Sequence, residues 1–138
     1  MTQLTTDAEL KQLLAQAKTI AVVGHSDKPT RTSYQIAAYL RQAGYTVYPV
    51  NPTVTTIDGE PSYTSLADLP TTPDIVNVFR RPEHLADVVR EATAINAPAV
   101  WAQLGVVSED AVDIAAMQNL PLVMDRCIKV EHYRLLRS

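Results

Sequence analysis

The side chains best equipped for chemistry cluster in residues 21–33, AVVGHSDKPTRTS, which hold one glycine, Lys28, Arg31 and four hydroxyls. An apolar run enters this stretch and a helix-forming run leaves it, the local plan of a phosphate-binding turn. Gly24 lacks a Cβ, so the chain can turn sharply there and a pyrophosphate can approach the backbone. N–H groups at the start of the following helix, around Thr32–Tyr34, offer phosphate a positive dipole end. Ser26, Thr30, Thr32 and Ser33 add hydroxyl donors, Lys28 and Arg31 add charge-assisted contacts, and His25 and Asp27 lie among them. Only one of the three glycines of G-x-G-x-x-G is present, so an ordinary loop with Ser33 as helix cap fits the same residues.

Such a turn needs a strand before it and a helix after it, and the chain alternates in that way throughout. TIAVVG (19–24) reads as a strand apolar on both faces, as in a covered parallel sheet. Further strands are expected at 45–50, 74–79, 98–103 and 120–124. Thr6-Asp7-Ala8-Glu9 fits a capping box, and helices are expected over 33–43, from Pro82 to about Asn96, near 108–118 and at 130–137. Residues 53–73 read as a turn-rich connection with one short helix around Leu66. The fold class is therefore α/β, a doubly wound parallel sheet of about five strands in the order 3-2-1-4-5, with helices on both faces. Residues 1–138 form one domain without repeats.

Open α/β sheets take ligands beyond the carboxyl ends of their strands, where the direction of winding switches. The residues there are Gly24 to Ser33, Val50-Asn51-Pro52, Phe79-Arg80-Arg81, Trp101 to Gly105, and Asp125-Arg126-Cys127. Lys28, Arg31, Arg80, Arg81 and Arg126 lie on this rim against only two acids, Asp27 and Asp125, although the whole chain carries a formal charge of −3. A locally positive mouth on a mildly acidic protein argues for an anionic small molecule; arginines that only keep loops soluble are the plainer alternative. The net charge gives no general pull toward nucleic acid or an anionic membrane. No signal-peptide pattern or membrane-spanning run is present, so the chain is read as cytoplasmic, with a homodimer left open.

The second strand bears on which nucleotide is bound. NAD sites place Asp or Glu at its end to hold ribose hydroxyls, whereas here Val50-Asn51-Pro52 leaves no carboxylate before Asp58. NADP and coenzyme A remain. His25 reads as a packing or polar contact, and His84 and His132 as surface residues; the three histidines lack ligand spacing, so no metal site is expected. Trp101 reads as core filler or as a wall of the ligand channel, and Asp125 as a turn cap or partner of Arg126. Cys127, the only cysteine, sits beside Arg126 and near Lys129, cationic neighbours of the kind that activate a thiol, although free cysteines are commonly buried and inert. No catalytic constellation is recognisable.

The blocks IAVVGHSDKPTRTSYQIAAYLRQAGYTVYPVNP, DIVNVFRRPEHL, VWAQLGV and MDRCIKVEH together resemble the small stand-alone CoA-binding proteins. Those are similar in turn to the CoA-binding domain of the succinyl-CoA synthetase α subunit, and the resemblance covers roughly residues 10–135. It implies a Rossmann-like fold and binding of coenzyme A or an acyl-CoA, as a non-catalytic or regulatory module. By that resemblance Ser26, Asp27, Lys28, Pro29 and Thr30 contact the CoA phosphates, and Val50, Asn51 and Pro52 face the adenosine. Phe79, Arg80 and Arg81 flank the pantetheine or phosphates, and Gln103, Leu104 and Gly105 line the pantetheine arm. The synthetase lysine near the second strand has Tyr45 in its place, so Lys28 or Arg31 supplies that charge. A CoA thiol reaching Cys127 would form a mixed disulfide under oxidising conditions. The synthetase's phosphohistidine belongs to domains outside the resemblance, so ligase activity is not carried over. An NADP-dependent or acyl-CoA-handling enzyme, and an interaction subunit with a vestigial site, are the other readings.

Overall fold

A computed structural model describes residues 3–137. Five strands, β1 (Thr19–Val23), β2 (Thr46–Val50), β5 (Ile75–Val78), β6 (Val100–Ala102) and β7 (Leu122–Val123), pair in parallel in the spatial order β2-β1-β5-β6-β7. Between β2 and β5 lies a small antiparallel hairpin, β3 (Thr56–Ile57) and β4 (Glu60–Pro61). Its turn residues Asp58 and Gly59 have φ of 52° and 82°, the left-handed pair that a two-residue hairpin turn requires. A 3₁₀ turn follows at Leu66–Asp68.

Side chains alternate across the sheet and build two apolar layers. Ala21, Val23, Val76, Val78, Val100 and Ala102 face one way. They are covered by α3 (Leu85–Ala94), α4 (Glu109–Met117) and Leu66 of the 3₁₀ turn. Ile20, Val22, Ile75, Trp101 and Val123 face the other way. There they meet α1 (Asp7–Gln16), α2 (Thr32–Gln42) and α5 (Ile128–His132). Each fully buried Leu, Ile or Val contributes roughly 1.5–3 kcal/mol. The expected capping box is present at α1, where the Thr6 hydroxyl accepts from Glu9 N–H and Glu9 Oε1 accepts from Thr6 N–H.

The strand order differs from the expected 3-2-1-4-5. The third strand of the sheet, β5, lies next to β1, which gives 2-1-3-4-5. The reason is in β2 itself. Pro49 has no N–H to give to a ladder, so this strand suits a sheet edge rather than a central position. Beyond it, among the described residues, only Tyr63 pairs, donating its N–H to Pro49 O and accepting from Asn51 N–H. The chain then crosses back to pair with β1. The helix expected from Pro82 begins as a 3₁₀ turn, Pro82–His84, that feeds α3.

The C-terminal segment corrects another expectation. His132 is buried, not a surface residue: its Nδ1 shares a hydrogen bond with Tyr39 Oη at 2.9 Å, and the Tyr45 ring packs edge-on at 5.6 Å. Burial lowers its pKa. Arg134 in the π-helical end (Tyr133–Arg137) binds Asp7 through two nitrogens and Glu131 through Nε, fastening the C-terminus to α1. Burial pushes the Glu131 carboxyl up, but Arg134 and Arg126 together hold it below its usual value.

Tyr45 closes α1. Its hydroxyl donates to Leu14 O at 2.5 Å, satisfying one of the carbonyls that every helix leaves open at its C-terminus. Tyr45→Phe is expected to cost on the order of 1–2 kcal/mol in urea unfolding, because it leaves that carbonyl buried and unpaired. Burial raises the Tyr45 pKa to about 12. The raised value means that its contribution is complete below about pH 10 and is lost as pH climbs toward 12. Stability against pH from 8 to 12 therefore falls more steeply in the wild type than in Tyr45→Phe.

Candidate functional site

β1 and β5 are neighbours whose following helices, α2 and α3, pack on opposite faces of the sheet, so the winding switches between their carboxyl ends. Gly24 occupies that point. Its φ is +88°, and a Cβ built on it would lie 2.6 Å from Phe79 O at the end of β5. Any side chain there would be both strained and obstructed. Its N–H donates to Val50 O at 2.9 Å, tying the turn to the end of β2 as well.

Beyond Gly24 the loop is held by its own polar groups. Ser33 Oγ accepts from Ser26 N–H at 2.9 Å, and Ser26 Oγ accepts from Lys28 N–H at 3.0 Å. A tight turn joins Arg31 N–H to Lys28 O at 3.0 Å, and Gln35 Nε2 donates to Pro29 O at 3.2 Å. Ser33 is thus not the helix cap. The N-cap of α2 is Arg31, whose side chain makes no capping bond. The first-turn amides of α2, which have no partner within the helix, are left to whatever binds in front of them.

His25 lies under the loop, wholly buried. Its Nδ1–H donates to Ser26 O at 2.7 Å and its Nε2 accepts from Arg41 Nη1 at 3.3 Å, a network that assigns the neutral tautomer. Burial lowers its pKa, and the positive Arg41 acts in the same direction. Asn51 Nδ2 donates to His25 O at 2.8 Å, while Asn51 Oδ1 accepts from both the N–H and the hydroxyl of Thr53. Tyr34, in the first turn of α2, donates its hydroxyl to Asp58 and so fastens the β3–β4 hairpin beside the loop. This bond raises the Tyr34 pKa.

A cleft of about 470 Å³ opens in front of α2, lined by Gly24, Ser26, Asp27, Lys28, Arg31, Thr32, Ser33, Asn51, Thr53 and Phe79. A second, of about 250 Å³, adjoins it through Gly24, Asn51 and Thr53 and extends past Val50, Pro52, Thr64, Ser65, Leu66, Arg80 and Glu91. Thr53, Thr64, Ser65, Leu66 and Glu91, with Val23, line the clefts but are not among the residues that the sequence pointed to. Thr53 was within reach of sequence reasoning, because an Asn two residues before a Thr favours the Asx turn formed here. Glu91 comes from α3, and no local pattern announces it.

Several expected contacts lie elsewhere. Trp101 is wholly buried, its Nε1–H donated to Arg126 O at 2.9 Å. Gln103 is buried as well, and its Oε1 accepts from Ile128 N–H at 3.1 Å, capping the start of α5. Thr30 is exposed outside both clefts, and Arg81 is an exposed partner of Glu83 at 3.3 Å. Arg126 is bound to Glu131 at 2.7 Å and to Thr5 O. The positive rim of five cations is thereby reduced to Lys28, Arg31 and Arg80 at the clefts. Gly105 donates its N–H to Asp125 Oδ1 at 2.7 Å, making Asp125 a turn partner. Leu104 and Cys127 share a third cleft, beyond β6 and β7. Among the described residues no cluster of His, Cys, Asp and Glu could hold a metal ion, and no helix is long and apolar enough to cross a membrane.

Residues 18–133 match the CoA binding domain family. The chain belongs to that family. Protein YneT of Bacillus subtilis (strain 168) is 44% identical to this member over 125 residues, which are 91% of this chain and 93% of YneT. The crystal structure of Prb, the PH1109 protein redesigned for binding, superposes with a TM-score of 0.94 at 34% identity, covering 100% of this chain and 97% of that one. A protein from Thermus thermophilus superposes at 0.90 with 40% identity, covering 96% of this chain and 100% of its own. In this CoA-binding domain, Gly24→Ala is expected to cost more than about 2 kcal/mol, combining left-handed strain with the clash against Phe79 O. Urea unfolding measures it; a loss below 0.5 kcal/mol, roughly the size of a neutral surface change, would mean that the turn relaxes freely.

Proposed function

We propose that the chain binds coenzyme A or an acyl-CoA across the C-terminal ends of β2, β1 and β5, as a module that does not itself catalyse a reaction. The observation that carries this reading is the start of α2. It has no side-chain cap, its Ser33 hydroxyl is engaged by the loop, and it opens on a cleft that Lys28 and Arg31 line. Pyrophosphate oxygens satisfy such amides and the two cations together. The second cleft takes the adenosine between the Val50–Pro52 corner and Leu66, with the hydroxyls of Thr53, Thr64 and Ser65 around it. Arg80 lines that cleft and supplies a cation for a phosphate on the ribose.

The absence of catalysis rests on the lining. Among the described residues, neither cleft is lined by a histidine, cysteine or tyrosine, and the carboxylates that do line them, Asp27 and Glu91, make no hydrogen bond to a hydroxyl of the lining. His25 is sealed under the loop in its neutral form, and the cleft that Cys127 lines holds, among the described residues, no histidine to activate its thiol. A general base beside a free nucleophile is the minimum for acyl transfer. A role in sensing or regulation through acyl-CoA fits that lining.

Titration calorimetry with CoA, NAD and NADP tests the ligand. CoA binding of roughly micromolar strength is expected, with NADP and NAD far weaker. Lys28→Ala combined with Arg31→Ala should weaken CoA by on the order of 1–3 kcal/mol per residue, a loss that shrinks as salt is added. NADP binding tighter than CoA, or an unchanged CoA affinity in the double variant, would overturn the reading.

A further inference from the structure

The cleft beyond β6 and β7 measures about 380 Å³ and is lined by Leu104, Met124, Asp125, Arg126, Cys127, Val130 and Glu131. Leu104 and Val130 stand 66% and 57% exposed on it, a large apolar surface for two neighbouring walls of one cleft. It lies on the same sheet edge as the two clefts of the candidate site. Phe79, which lines the first of them, and Cys127, which lines this one, pack against the same apolar cluster under α2 and α5.

Length connects the two ends. From β1 to β7 is three strand spacings, roughly 14 Å. The pantetheine arm has about twelve bonds from phosphate oxygen to sulfur, the equivalent of four extended peptide residues, roughly 13–14 Å. A CoA whose pyrophosphate sits at α2 therefore brings its sulfur to the turn of Leu104 and Cys127, if the arm runs along the strand ends. An acyl group carried on that sulfur meets Leu104, Met124 and Val130.

Charge then selects among acyl groups. Arg126, the one cation in this lining, is committed to Glu131 and to Thr5 O. Asp125 and Glu131 are acidic, and Glu131 is also held by Arg134. A terminal carboxylate on the acyl group would find Arg126 already engaged by Glu131 and would face the Asp125 carboxylate. We propose, resting on the CoA reading above, that this cleft is a subsite for short, uncharged acyl groups and disfavours acyl groups that end in carboxylate.

Calorimetry on the full chain with CoA, butyryl-CoA and succinyl-CoA tests it. Butyryl-CoA is expected to bind about tenfold tighter than CoA, as partial burial of its methylenes allows, and succinyl-CoA no tighter than CoA. Val130→Asp should bring the ratio of butyryl-CoA to CoA affinity to about one, while Val130→Leu keeps it. A wild-type ratio of one, a ratio unaffected by Val130→Asp, or a preference for succinyl-CoA overturns the subsite while leaving CoA binding intact. If no CoA compound binds, the reading of the main site falls and the subsite falls with it.

Discussion

The approach of Gly24 to Phe79 is the constraint on which the rest of the site depends. With a Cβ position 2.6 Å from Phe79 O, the turn after β1 lies directly against the end of β5. That contact is possible only because β5 is the neighbour of β1, so it is also a statement about topology. Where the two strand ends meet, α2 leaves for one face of the sheet and α3 for the other. The gap between the departing helices is the ligand crevice of open α/β sheets. A side chain at residue 24 would push the loop from β5 and close part of that gap.

Dinucleotide sites commonly use several glycines so that backbone amides can approach phosphate. This loop reaches a defined shape by other means. Ser26, Ser33, Asn51 and His25 each commit hydrogen-bonding groups to the loop or its anchor. The entropy of ordering the loop is thus offset within the protein itself, so less ordering remains when a ligand binds. His25 serves this arrangement only while neutral, since its Nε2 must accept from Arg41. Its polar environment and its burial therefore act together to keep it neutral and fixed beneath the loop.

Much of this was legible in the sequence, and the misreadings have definite causes. Strand and helix positions followed from apolar periodicity, and the α1 cap from Thr6 and Glu9, because those signals are local. The order of the sheet is not local, and it was misread although Pro49 marks β2 as an edge. Asp58-Gly59 is a hairpin signal, but it stands between strands of only two residues each, too short for their periodicity to mark them within the turn-rich connection 53–73. Among rim residues, position beyond a strand end gathered Lys28, Arg31, Asn51 and Arg80, which line the two clefts, together with Trp101, Gln103 and Arg126, which do not. Those three point inward or are committed to partners, which depends on the packing of α5 and the C-terminal segment. No spacing in the sequence encodes that packing.

Asn51 shows why the second-strand corner bears on ligand choice in a way that residue type alone does not. A neutral side chain could still receive a ribose hydroxyl if its amide were available. Here Oδ1 already accepts twice from Thr53, and Nδ2 is donated to His25 O. The corner itself therefore offers a ribose neither a carboxylate nor a free amide; the cleft around it presents the hydroxyls of Thr53, Thr64 and Ser65, with Arg80 and the Glu91 carboxylate of α3 in the adjoining wall. Hydroxyls hold an unmodified ribose weakly in competition with water, whereas a guanidinium gains most from a phosphate. The proposed function rests on that difference: it assigns a phosphate on the ribose to Arg80 and the pyrophosphate to the amides and cations at α2. On the proposed reading, Lys28 and Arg31 at the first cleft and Arg80 at the second are the cations assigned to the anionic groups of coenzyme A.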